Sequence, residues 1–207
     1  MEARPTGAAI LLRLRHFIAV AALLPLNSCQ APPQVVSMEF ADGRHSMLVM
    51  PLDYHVGTTR HVISVPDGFV TDFASVPRVL WSAYPPHEMY SRAAVIHDYL
   101  YWIQTCTRKQ ADNILMIAMK ESNVSRRKRN AVYKGVRLGG QNAWDANARE
   151  RTSGLPRVIP NTHRNIPPNL TWPDFRRQLK NEGIKDPAPG GDTGYCATGD
   201  SAEVPVV

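Results

Sequence analysis

Residues 91–119 most constrain the fold, because they read as two amphipathic helices separated by a break too short for anything but an antiparallel return. Ala93, Ile96, Leu100 and Ile103 recur at spacings of three and four, which makes one apolar stripe on a helix from Ser91 to Ile103. Thr107 with Gln110 three residues on is a capping box that opens a second helix, whose apolar side carries Ala111, Leu115, Ala118 and Met119. Polar groups interrupt both helices: His97 and Tyr101 flank the first stripe, Asp98 lies about 100° further round, and Asp112 sits against Leu115, Met116 and Met119. Such groups on apolar surfaces are costly unless they satisfy one another or bind a ligand.

The register of the hairpin predicts which of them meet. With a reversal near Thr105, His97 lies eight residues before the turn and Asp112 seven after it. At about 1.5 Å per residue both stand roughly 11 Å from the turn, side by side. Asp112 then accepts from one imidazole nitrogen and fixes the tautomer, and the other nitrogen serves as a base. Tyr101 holds the carboxylate, and Asp98 points elsewhere, toward a cation. The bland alternative is a satisfied structural pair, with Asp112 merely complementing the helix N-terminus.

Ahead of the hairpin, Pro66-Asp67-Gly68 is turn chemistry. Asp72 follows in a stretch of little periodicity that ends at Pro77. Its carboxylate, that of Asp98 and loop carbonyls would suit a hard cation such as calcium, which takes six to eight oxygens. Equally, Thr71, Asp72 or Ser75 could tie down an irregular turn. Apolar runs from Ser46 to Tyr54 and from Arg60 to Val65, split by Gly57-Thr58-Thr59, predict an antiparallel strand pair. A third helix is expected from Arg126 to Leu138, capped by Ser125 and stopped by Gly139-Gly140. The fold class is therefore α+β: a small antiparallel sheet or hairpin, a helical hairpin and a third helix.

The N-terminus carries an export reading. Arg4, Arg13 and Arg15 precede the apolar run from Phe17 to Leu26, which has the length of a signal-peptide core rather than a bilayer span. Leu26-Asn27-Ser28-Cys29 resembles a bacterial lipoprotein cleavage box, which implies cleavage before Cys29 and acylation of its thiol. Gln30, rather than Asp, follows the cysteine, so the resemblance implies an outer-membrane anchor facing the periplasm. The division is then residues 1–28 as signal peptide, 29–36 as lipid-anchored tether, 37–147 as one globular domain, and 148–207 as a proline- and glycine-rich tail, largely irregular. One short helix is expected in that tail, Trp172 to Asn181, with Thr171 as cap and Pro173 in the first turn. Cys106 and Cys196 could pair in an oxidising compartment, although the tail position of Cys196 argues against it. No zinc-ligand spacing appears.

The chain has 207 residues and a net charge of +6, concentrated in part at Arg126-Arg127-Lys128-Arg129. With an export signal in front, that run suits an anionic phospholipid surface better than nucleic acid, for which there is no interleaved aromatic motif.

Three strings carry a resemblance to a known family: Gly68-Phe69-Val70-Thr71-Asp72-Phe73-Ala74-Ser75-Val76-Pro77-Arg78, then Ala93-Ala94-Val95-Ile96-His97-Asp98-Tyr99-Leu100-Tyr101, then Arg108-Lys109-Gln110-Ala111-Asp112. Over roughly Met47 to Trp144 the chain resembles a domain of unknown function found in bacteria and tailed phages, a likeness that implies no activity. About thirty residues also resemble the compact bacterial form of the secreted phospholipase A2 fold, with its H-D-x-x-Y helix and antiparallel partner. That likeness implies His97 as the water-activating base, Asp112 as its partner, Tyr101 as support, and Asp98, with Asp72 nearby, as calcium ligands. The bracing disulfides and the glycine-rich calcium loop of those enzymes are missing. The leading expectation is a calcium-dependent lipid or ester hydrolase. Its rivals are a non-catalytic envelope or phage-derived lipoprotein and a metal-dependent cell-wall hydrolase, the last lacking the usual histidine and glutamate ligands.

Overall fold

The computed structural model describes residues 35–73, 90–189 and 193–206. The export segment, Cys29, Ser75, Pro77 and the rest of the stretch from Ala74 to Arg78 lie outside the described residues.

Five short strands come first: β1 (Ser37–Glu39), β2 (Ser46–Leu48), β3 (Leu52–His55), β4 (Val62–Val65) and β5 (Val70–Thr71). Helices follow: α1 (Ser91–Ile103), α2 (Arg108–Glu121), α3 (Arg126–Thr152), α4 (Trp172–Asn181) and α5 (Tyr195–Thr198). The expected α+β arrangement is what the structure shows. The run expected as one strand from Ser46 to Tyr54 breaks in two near Pro51. β3 pairs antiparallel with β4, Leu52 opposite Val65 and His55 opposite Val62. β2 turns instead to the centre of a second sheet, order β1-β2-β5. Proline has no N–H to give a ladder, which suits a break between two pairings. No helix among the described residues is long and apolar enough to cross a membrane.

α1 is the central element, with every residue but Arg92 and Ile103 buried. The stripe read from spacing is therefore only part of its apolar surface, as expected of a helix covered on all sides. α2 lies against it, opened by the reciprocal capping box of Thr107 and Gln110. Between them Gln104 closes α1 in the left-handed region at φ 54°, its N–H returning to Leu100 O.

α3 does not stop at Gly139-Gly140 but runs to Thr152. The reason is packing. A Cβ on Gly140 would lie 2.5 Å from the Tyr101 hydroxyl, so this glycine lets α3 approach α1. A glycine costs a helix about 1 kcal/mol relative to alanine, which tertiary contacts readily offset.

The segment after α3 also has a larger structural part than its composition suggests. Phe69 bridges Val158 in antiparallel fashion, and Val70 N and Ile159 N complete the edge by donating to Arg157 O and Gly68 O. Ile159, Trp172, Phe175 and Leu179 join Phe40, Met47 and Val70 in a second apolar cluster. α4 spans the residues expected of it, with the Thr171 side chain accepting from Asp174 N. Cys106 and Cys196 are bonded, which ties α5 to the start of α2 across 90 residues of chain. Gly199 O accepts from Asn113 Nδ2 at 2.8 Å, so the C-terminal strap runs along α2.

Candidate functional site

The helical hairpin brings His97 and Asp112 together as its register predicts. His97 Nε2 lies 2.9 Å from Asp112 Oδ1, and both side chains are buried. Tyr101, one turn beyond His97, donates its hydroxyl to the same oxygen at 2.6 Å and packs against the imidazole, tilted by 42° at 4.1 Å between centroids. Two further donors reach the other oxygen, Oδ2. Arg108 Nη1, one turn earlier on α2, stands at 3.1 Å, and Arg137 Nη1 from α3 at 2.7 Å. The carboxylate thus has four donors, from α1, α2 and α3.

These bonds fix the charge states. Burial pushes the Asp112 carboxyl upward, but the bonds from His97, Tyr101 and Arg137 outweigh it and hold the group below the usual carboxylate range. Burial holds the His97 imidazolium down more strongly than Asp112 raises it, so the ring is neutral near pH 7. A neutral ring donating Nε2–H to ionised Asp112 carries its basic lone pair on Nδ1. The Tyr101 hydroxyl is pushed above its ordinary range by burial and by Asp112, and it stays protonated.

His97 and Tyr101 form part of the wall of a cleft of about 690 Å³. Asp98 and Asp72 line the same cleft, as do Asn147, Arg157 and Arg176. Asp98 Oδ2 accepts from Thr71 Oγ1 at 2.5 Å, and that hydroxyl accepts in turn from Phe73 N at 3.1 Å. Phe73 stands in the left-handed region at φ 51°, so Thr71 does anchor an irregular turn. Asp72 Oδ1 faces Arg157 Nη2 at 3.5 Å. Among the described residues no group of three or more His, Cys, Asp or Glu side chains is placed to hold a metal ion. Two carboxylates, one ion-paired with a guanidinium and one bonded to a hydroxyl, fall short of the oxygens a calcium ion takes. The described donors fit that ion poorly.

The other half of the cleft was not read from sequence. Arg157 lies over Phe69 and Trp102, and its Nη1 donates to Asn147 Oδ1 at 3.0 Å. Arg176 lies between Trp102 and Trp172, donates Nε to Pro156 O and Nη1 to Glu150, and keeps a buried Nη2 with no hydrogen-bond partner among the described residues. The i, i+4 spacing of Arg108 and Asp112 was a signal that could have been used. Arg137, Arg157 and Arg176 gave none, because only the tertiary fold brings them near.

Fold and site together define an α+β domain whose helix-borne His–Asp pair is braced by tyrosine and arginine, with His97 in the lining of a cleft that also holds Arg157 and Arg176. Residues 47–136, from β2 into α3, match the model of the family described as Protein of unknown function (DUF1353). Neither curated proteins nor solved structures yield a match. The matched stretch holds His97, Tyr101, Arg108 and Asp112, while Arg137, Asn147, Arg157 and Arg176 lie beyond it.

Proposed function

We propose that this chain is an exported hydrolase of lipid esters in which His97 is the general base and Asp112, with Tyr101, positions it. The buried His97–Asp112 bond in the wall of the 690 Å³ cleft carries the reading. His97 Nδ1 takes a proton from water, the resulting hydroxide adds to the ester carbonyl, and the tetrahedral oxyanion collapses to a carboxylic acid. The imidazolium returns its proton to the departing alkoxide. Proton transfer of this kind contributes about 10²–10⁴-fold. Stabilising the oxyanion is usually the larger contribution, and Arg176 Nη2, which has no partner among the described residues, and the Arg157 guanidinium are the donors suited to it. Export and a lipid anchor at Cys29, on the periplasmic side of the outer membrane, belong to the same proposal. The Cys106–Cys196 bond supports an oxidising compartment, and the basic run at Arg126–Arg129 supports an anionic phospholipid surface as partner.

A second reading rests on the four donors around Asp112: the network braces three helices, and the cleft binds without catalysis. Fatty-acid release from phosphatidylglycerol and phosphatidylethanolamine vesicles separates the two. The hydrolase reading expects turnover that falls about 10²–10⁴-fold in His97→Gln while the urea midpoint holds. No turnover by the native chain, or a His97→Gln variant whose urea midpoint falls while its folded fraction keeps its specific activity, favours the bracing role.

A further inference from the structure

A second cleft, of about 1000 Å³, opens on the other side of Leu155 and shares none of the dyad residues. Its walls are mostly apolar: Val62 on β4, Tyr99, Trp102 and Ile103 on α1, and Pro156 and Val158 after α3. Pro187, Ala188 and Pro189 also line it. Cavities of about 300–1,000 Å³ with apolar walls and few polar groups are the usual form of a small-molecule site.

Cations outnumber carboxylates in this lining by three to one. Arg60, Arg151 and Lys185 are exposed cations at the cleft. Arg151 donates to Trp102 O, Ile103 O and Gln104 Oε1, all uncharged acceptors. Arg60 and Lys185 make no ion pair with any described residue. The acid of the lining, Asp186, is already engaged: Oδ2 accepts from Trp102 Nε1 at 2.6 Å, and Oδ1 accepts from Arg157 N and Val158 N at 2.7 and 2.8 Å. Three cations against one carboxylate leave the lining net positive around a mostly apolar cavity, which suits a ligand with an apolar body and an anionic head.

We propose that this cleft binds a single-chain anionic amphiphile of the long-chain carboxylate class, with the chain against Trp102, Tyr99 and Val158 and the head among Arg60, Arg151 and Lys185. The proposal uses no residue of the dyad and stands whether or not the chain is a hydrolase.

Dodecanoate below its micellar concentration, titrated into the full chain, is the probe, followed by heat of binding and by tryptophan emission. The expected result is one saturable site with altered emission from Trp102. Dodecyltrimethylammonium, of equal chain length and opposite charge, should not compete. Arg60→Ala and Lys185→Ala change exposed side chains and should each weaken binding about two- to fivefold without moving the urea midpoint. His97→Gln should leave the affinity unchanged. Non-saturating uptake, equal binding of the cationic detergent, or loss of binding in His97→Gln would overturn the assignment, the last by placing the ligand in the dyad cleft.

Discussion

Alanine at Gly140 should uncouple Tyr101 from Asp112, whereas alanine at its neighbour Gly139 should not. Both positions are within α3, where replacing glycine gains about 1 kcal/mol of helix propensity. Nothing lies within 4 Å of a Cβ built on Gly139, so that gain should appear intact. On Gly140 the new methyl would stand 2.5 Å from the Tyr101 hydroxyl and 3.4 Å from Arg108 Nη1. Ordinary contact begins near 3.4 Å, so the hydroxyl, which is held at 2.6 Å by Asp112, must retreat by about 1 Å or the helices must part. A hydrogen bond to a charged group contributes about 1.5–3 kcal/mol, and overpacking adds a cost of similar size. The net expectation is a loss of about 1–3 kcal/mol for Gly140→Ala against a gain of up to about 1 kcal/mol for Gly139→Ala. Urea unfolding of the two variants reads the difference, and the Tyr101→Phe background should shrink it because the clashing oxygen is gone. Equal stabilisation by both alanines would refute the reasoning, since it would mean that Tyr101 does not press on α3.

Stability should also depend on pH through His97. Its folded pKa lies below the 6.5 of a free imidazole, so the unfolded chain binds the proton more readily. The contribution is therefore complete above about pH 6.5 and declines on acidification, by at most about 1.4 kcal/mol per pH unit. Asp112, lowered from 3.8, loses its own contribution only below that value. Urea midpoints measured from about pH 8 to about pH 5 should fall in the native chain and flatten in His97→Gln, and parallel slopes would contradict the assignment. Removing the disulfide by Cys106→Ser with Cys196→Ser should cost about 2–5 kcal/mol, given the 90 residues it closes. A smaller change would show that the contacts of the C-terminal strap suffice to hold it. Calcium should raise the melting temperature little, because Asp72 already faces Arg157. A saturable rise that disappears in Asp98→Asn would restore the ion expected from the sequence.

Much of the site was legible because it depends on local periodicity. A capping box at Thr107, a break near Thr105 and an apolar repeat on each side fix two helices and their register. Register alone then sets His97 opposite Asp112, and Tyr101 follows one turn later. The strand pair β3–β4 and the helix α4 were legible for the same reason, since turn residues and caps act within a few positions. Gly139-Gly140 shows where local reasoning fails. Two glycines ordinarily end a helix, yet here one of them accommodates a tyrosine from α1, which no local pattern announces.

The chain by itself determined its helical hairpin, its α+β class and the meeting of one imidazole with one carboxylate, because each follows from short-range geometry. Only the folded molecule decided that Asp112 would also hold Arg137, that Cys196 would return to Cys106, and that Arg157 and Arg176 would line the cleft beside His97. Those partners come from stretches rich in proline, glycine and charge, whose order depends on apolar side chains such as Ile159, Trp172 and Leu179 finding a sheet face far away in sequence. Burial of that kind depends on which distant surfaces meet, and a pattern of neighbouring residues does not encode it.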